Sequence, residues 1–261
     1  MDFLVIKLIL TPLLIGAATL AARRWGNIIG GWIVGLPLTS GPISVFMAFE
    51  QGQRFAAQSA ISALMGLIGV GAFCLAYRLT LPGSRPWPAA VIGIAAFLAA
   101  LFGLSFLTLG AVTAAVFVIL FLASVLAMIK RVHVAMPSIS SPLWDIPLRM
   151  IVATVMVLAI TGSAHLIGPE WSGLLSPFPV FSCVMTMFAH QDSGWEAAQL
   201  MLRGVVLGCF AAAAFFLVVA LMLEETGIWI AYGMAVAAAL MINGLVLLEI
   251  ARNKPTAEKN P

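Results

Sequence analysis

Long apolar runs separated by short polar stretches recur from the first residues of this chain to the last. Nine emerge, at roughly 3–22, 28–49, 55–79, 87–105, 107–129, 146–167, 171–190, 196–223 and 227–250. Each is near the ~20 residues a helix needs to cross a bilayer. A β-barrel would show short alternating segments, and these runs do not alternate. Two runs are interrupted near their middles. One holds Gly35-Leu36-Pro37-Leu38-Thr39-Ser40-Gly41-Pro42, the other Gly173-Leu174-Leu175-Ser176-Pro177-Phe178-Pro179. Both are rich in the residues that break helices, with hydroxyls beside them.

Composition sharpens the class. The chain is 62% hydrophobic and 9% charged, where soluble proteins run nearer a quarter charged. The pattern predicts an all-α, polytopic membrane protein forming one membrane domain over 1–261, with the lipid bilayer as its first partner. The net charge of +3 belongs to loop lysines and arginines and implies no nucleic acid. Cys74, Cys183 and Cys209 all lie inside apolar runs and read as packing residues. Asp2 precedes the first run and Arg23-Arg24 follow it, which predicts a membrane helix rather than a signal peptide.

Charge also predicts orientation. With the N-terminus outside and every run spanning, Arg23, Arg24, Arg78, Arg85, Lys130, Arg131, Arg149, Arg252, Lys254 and Lys259 fall inside. Outside fall Arg54, with Glu50, Glu170, Glu224 and Glu225. That is the positive-inside bias of an inner (cytoplasmic) membrane protein with a cytoplasmic C-terminus. Re-entrant hairpins at the two interruptions would destroy the bias, so spanning, discontinuous helices are expected.

The halves resemble each other at an offset of about 140 residues. Gly31-Trp32 and Gly35-Leu36 match Glu170-Trp171 and Gly173-Leu174. Pro42 matches Pro179, and Glu50 matches His190. Ala56-Ala57-Gln58 matches Ala197-Ala198-Gln199, and Trp87 matches Trp229. The expected units are a first repeat of four helices at about 1–105, a linker helix at about 106–130 and a second repeat at about 145–251. One unmatched helix between two copies inverts the second, as in many secondary transporters.

Such breaks free backbone groups that only protein or a wet cavity can satisfy. Pro42 and Pro179 suit the first turn of new half-helices, expected at 42–50 and 179–190. Their N-terminal ends would meet near mid-bilayer from opposite sides and favour an anionic group. The expected binding residues are Pro37, Thr39, Ser40, Gly41, Pro42, Ser176, Pro177, Phe178 and Pro179, with Ser44 and Ser182 adding hydroxyls. Arg203, inside the eighth run, either reaches this cavity or snorkels. Glu50, His190 and Asp192 are candidates for coupling or gating. Lys7 is expected to snorkel. Gly31/Gly35, Ser59/Ala63, Ser62/Gly66 and Gly204/Gly208 are small-xxx-small pairs that predict close helix contact. No metal-ligand cluster, phosphate loop or nucleophile motif occurs, so the sequence implies no enzyme, metal or cofactor.

Gly173 to Phe181, then His190 and Gly194-Trp195-Glu196-Ala197, resemble the GlpM-like family of small bacterial inner-membrane proteins. The resemblance covers mainly 171–208. The first half departs from it, with Thr39-Ser40-Gly41 in place of the Phe and Glu50 in place of the His. It implies a bacterial inner membrane, a four-helix unit and a link to exopolysaccharide production. Two functions are therefore expected to compete. One is a secondary transporter or permease for a small anionic or amphiphilic molecule. The other is a non-transporting membrane subunit of an envelope-biosynthesis complex. A homodimer or such a complex would be the partner.

Overall fold

The computed structural model describes residues 2–24, 37, 39–80, 85–129 and 145–252. The first half of the 28–49 run (with Gly31, Trp32, Gly35 and Leu36), Leu38, the 130–144 connection and the tail beyond Arg252 lie outside the described residues.

All regular structure among the described residues is helical. The elements are α1 (Asp2–Arg24), α2 (Ser40–Glu50), α3 (Gln53–Leu79), α4 (Pro86–Leu104), α5 (Ala111–Met128), α6 (Asp145–Leu175), α7 (Val180–Thr226) and α8 (Ile228–Arg252). Among the described residues, six helices are long and apolar enough to cross a membrane. The protein is a multi-pass helical membrane protein. Two helices carry one non-helical residue each: Gly168 divides α6 and Gly194 divides α7. Eight of the nine expected runs coincide with described helix, with 146–167 and 171–190 meeting at Gly168, and of 28–49 only the second half is described.

α3 and α7 pack on each other and centre the bundle. α4 lies along α3, α8 lies along α7, and α5 packs on both central helices. α1 packs along α6, and α2 bridges α3 and α6. Burial agrees: 72% of the most apolar window of α3 is buried inside the protein, against 28% for those of α5 and α8, which face outward. Glycines make the centre possible. A Cβ on Gly66 would lie 2.7 Å from Leu174 O and from the Pro177 ring. One on Gly69 would meet Phe97 of α4 at 2.8 Å, and one on Gly71 would meet Phe121 of α5 at 2.8 Å. Three neighbours thus reach the α3 backbone through missing side chains. Elsewhere hydroxyls fold back onto their own helices, as Thr154 does to Met150 O (2.7 Å) and Ser163 to Ala159 O (2.6 Å). That leaves no unpaired hydroxyl at those positions on an apolar surface.

The bundle has two ends. Lys7, Glu50 and Thr161 meet at one, and Tyr77, His190 and Trp195 at the other. α1 and α6 are antiparallel, since Lys7 meets Thr161 while Gly16 meets Met150. α3 and the long limb of α7 are antiparallel too, since Tyr77 near the end of α3 stacks on Trp195 near the start of that limb. α1 starts at the Lys7 end, and α2 finishes there.

Candidate functional site

The second interruption is present where the prolines predict it. α6 stops at Leu175, residues 176–179 are non-helical, and α7 starts at Val180. Its hydrogen bonds follow from the missing proline donors. Gly173 O would accept from residue 177, but Pro177 has no N–H. Ser176 replaces it twice, with its N–H at 3.0 Å and its Oγ at 2.9 Å. Leu175 O would accept from residue 179, again a proline, and takes the Phe178 N–H at 3.1 Å instead. Pro179 O then accepts the Cys183 N–H at 2.8 Å and opens the first turn of α7.

This break is seated on the middle of α3. Gly173 packs against the Ser59 carbonyl, Ser62 and Ala63; Leu174 O and the Pro177 ring lie on Gly66. These are the Ser59/Ala63 and Ser62/Gly66 pairs that the spacing singles out for close contact. Gly66 is the central residue of the 27-residue α3. Phe178 sets its ring edge-on to Phe97, 5.2 Å away. The chain then runs on along α3 until His190 reaches Tyr77. From Gly173 to His190 it therefore follows α3 from Ser59 to Tyr77, about 27 Å of helix.

The first interruption is described from Pro37 and Thr39 onward. α2 starts at Ser40, two residues earlier than expected, because Gly41 N–H already bonds Pro37 O at 2.7 Å. Pro42 is therefore the third residue of the helix. Thr39 stands at the N-cap with no side-chain capping bond. Ser40 and Gly41 are buried, and Gly41 faces Phe215 of α7. Ser44 shares a 2.7 Å hydrogen bond with the hydroxyl of Tyr232 on α8.

Both half-helices end in a polar residue followed by a glycine with φ near +90°. After Glu50 comes Gly52 (φ 94, ψ 164); after His190 comes Gly194 (φ 82, ψ −174). Nothing lies within 4 Å of a Cβ at either position, so backbone conformation alone demands glycine. Glu50 accepts a hydrogen bond from Lys7 Nζ at 2.6 Å, and Thr161 Oγ1 accepts a second at 2.7 Å. The Lys7 ammonium also lies 5.5 Å from the centre of the Phe46 ring. Lys7 does not snorkel, as its position suggested; its side chain is 6% exposed. His190 is buried, with Nδ1 3.1 Å from the Tyr77 hydroxyl and its ring 5.3 Å from that of Trp195. Asp192 is in the short limb of α7, and its side chain lies outside those described.

Arg203 is on the long limb of α7 and turns to α5. It donates to Leu126 O at 3.1 Å and Ile129 O at 2.7 Å, the last carbonyls of that helix. A cleft of about 290 Å³ lies between α3, the α4–α5 connection and the second limb of α6; Leu174 lines it, and none of Ser176, Pro177, Phe178 and Pro179 does. Gln58, Ser62, Ser105, Thr108 and Glu170 give it polar edges; Ile61, Met65 and Leu174 give it an apolar floor. Among the described residues no group of three His, Cys, Asp or Glu could hold a metal.

The structure thus draws Ser176, Pro177, Phe178 and Pro179 together on α3, and Thr39, Ser40, Gly41 and Pro42 together at the start of α2. Glu50 and His190 stand at opposite ends of the bundle. Sequence reasoning passed over Tyr77, Trp195, Thr161 and Tyr232. One signal was available: the chain has two tyrosines, and each hydroxyl bonds one half-helix. No family model, curated protein or solved structure matches this chain.

Proposed function

We propose that the protein is a small secondary permease of a bacterial inner membrane, built on two inverted four-helix repeats with one broken helix each. One observation carries the reading. The Ser176–Pro179 break lies on the midpoint of a membrane-long helix, while its chain continues to that helix's far end. A re-entrant hairpin would turn back toward the end where it began. Pairing of the elements supports the repeat. α3 with α4 corresponds to α7 with α8, α1 packs on its counterpart α6, and unmatched α5 touches both central helices. α1 leaves the Lys7 end and α2 returns to it, so the 28–49 run would cross as well, for nine crossings. Arg78, Arg85, Arg149 and Arg252 belong to helix ends on the Tyr77 side, which is then cytoplasmic.

The substrate is amphiphilic rather than a compact anion. At the start of α2 the Gly41 N–H is bonded to Pro37 O, Pro42 has none, and Ile43 N–H bonds Thr39 O at 3.4 Å. Few free donors are left for an anion there. The Ser176 hydroxyl is committed to Gly173 O, and Arg203 donates to α5 carbonyls. The cleft beside Leu174 has the mixed lining an amphiphile needs. A substrate entering by that cleft would pass on to Pro37, Thr39, Ser40, Gly41, Pro42, Ser176, Pro177, Phe178 and Pro179, which do not line it and are the residues expected to contact substrate at the breaks.

Flux measured in proteoliposomes tests the proposal, using a panel of amphiphiles and small anions. The expected result is movement of at least one amphiphile, abolished by Pro42→Ala with Pro179→Ala in a protein that still folds. If no compound moves and the protein copurifies with a fixed membrane partner, the reading as an envelope-complex subunit replaces it.

A further inference from the structure

Between α1, α2 and α6, one ammonium is enclosed by oxygens. Lys7 Nζ donates to Glu50 Oε2 at 2.6 Å and to Thr161 Oγ1 at 2.7 Å. The Thr161 hydroxyl proton is directed to Val157 O at 2.6 Å, so its oxygen is free to accept from Lys7. One turn from Lys7 on the same face of α1, Thr11 is fully buried, and its Oγ1 has no hydrogen-bond partner. The Glu50 carboxylate and Thr161 hydroxyl around this ammonium are oxygen donors of the kind that small hard cations prefer, and the unpartnered Thr11 hydroxyl is one helical turn away. At present a side-chain cation occupies the first two.

Lys7 is buried, while Glu50 stands exposed at the end of α2, so the buried ammonium depends on a carboxylate that solvent and its ions can reach. The position of the pair suggests a role. Glu50 is the last residue of α2, and Gly52 follows as a pivot. α1 packs chiefly along α6, and the Lys7–Glu50 contact ties that pair of helices to the end of α2.

We propose that Lys7, Thr11, Glu50 and Thr161 form the coupling-cation site of the protein, in which a small monovalent cation takes Glu50 from Lys7. This rests on the permease reading and deepens it. Binding a proton converts the Glu50 carboxylate to the neutral acid; binding sodium leaves it ionised but coordinated. In either case one positive charge is added, the Lys7 ammonium loses its counter-charge, and the end of α2 is released from α1 and α6. Lys7 is the charged group that bonds Glu50. The other charged or titratable groups near this end whose side chains are described, Arg54 on α3, His165 and Glu170 on α6, and Glu224 and Glu225 on α7, are exposed, as Glu50 itself is.

The test is hydrogen–deuterium exchange of residues 40–50 in the full-length protein in lipid nanodiscs, corrected for intrinsic exchange rate. Protection in the wild type is expected to fall about tenfold on acidification far enough to protonate the Glu50 carboxylate. Glu50→Gln is expected to exchange fast at every pH. Sodium replacing choline at constant pH and ionic strength separates the two ions: a fall in protection assigns sodium, no change assigns the proton. Thr161→Val keeps both charges and is expected to move the pH midpoint; it serves if Glu50→Gln does not fold. Protection of 40–50 that is flat across pH and across both salts overturns the proposal. This readout requires no flux, so its failure is distinct from failure of the permease reading.

Discussion

α2 and the short limb of α7 are the same backbone device with different chemistry at its end. Each begins in a proline-rich stretch, and each is bonded to one of the chain's two tyrosines, through Ser44–Tyr232 and His190–Tyr77. Each stops at a glycine with positive φ. Then they diverge. α2 ends in a carboxylate held by a buried ammonium. The limb of α7 ends in an imidazole packed between a phenol and an indole. An ion pair depends on both partners staying charged, so it is sensitive to a competing cation. An aromatic cluster depends on contact area and is indifferent to one. The two ends of one scaffold can therefore open under different conditions, as the proposed permease would need.

The scaffold common to both is the first thing to break. Gly173→Val drives a side chain into the Ser59 carbonyl, which backbone cannot yield. We expect a loss of about 3 kcal/mol or more, read as failure to recover folded protein in detergent. Next is the charged end. Lys7→Met leaves Glu50 without its partner at the partly exposed end of α2 and costs about 1–2 kcal/mol. Adding Glu50→Gln restores most of it. Thermal unfolding of the four proteins in a double-mutant cycle measures the coupling; additivity would remove the ion pair from the account. At the aromatic end, Tyr77→Phe removes one hydroxyl and costs about 1 kcal/mol, with no dependence on sodium. Ser176→Ala has the smallest effect, about 0.5 kcal/mol, because the Ser176 N–H still satisfies Gly173 O at 3.0 Å. The same unfolding assay reads both.

The sequence made visible what local chemistry determines. Pro177 and Pro179 remove two consecutive helix donors, and the break lies at those residues. Ser59, Ser62, Ala63 and Gly66 lack bulk on one face of α3, and the half-helix docks there. The start of α2 was misread by two residues, because Gly41 N–H finds Pro37 O before Pro42 enters the helix. What stayed hidden depends on partners far along the chain. Lys7 looked like a snorkelling lysine near a helix end. Its partners are 43 and 154 residues away, and no periodicity on α1 encodes them. Arg203 likewise was weighed against a cavity, while its acceptors are backbone carbonyls that carry no sequence signature at all.

Opposite polarity of the two half-helices underlies the whole account, and sided labelling measures it most directly. Gln51→Cys and Gln191→Cys each put a thiol at the end of one half-helix. The native Cys74, Cys183 and Cys209 are buried and stay silent. With a membrane-impermeant maleimide on intact cells and inverted vesicles, position 51 is predicted to label from outside and position 191 from the cytoplasm. Labelling of both from the same side would contradict the account.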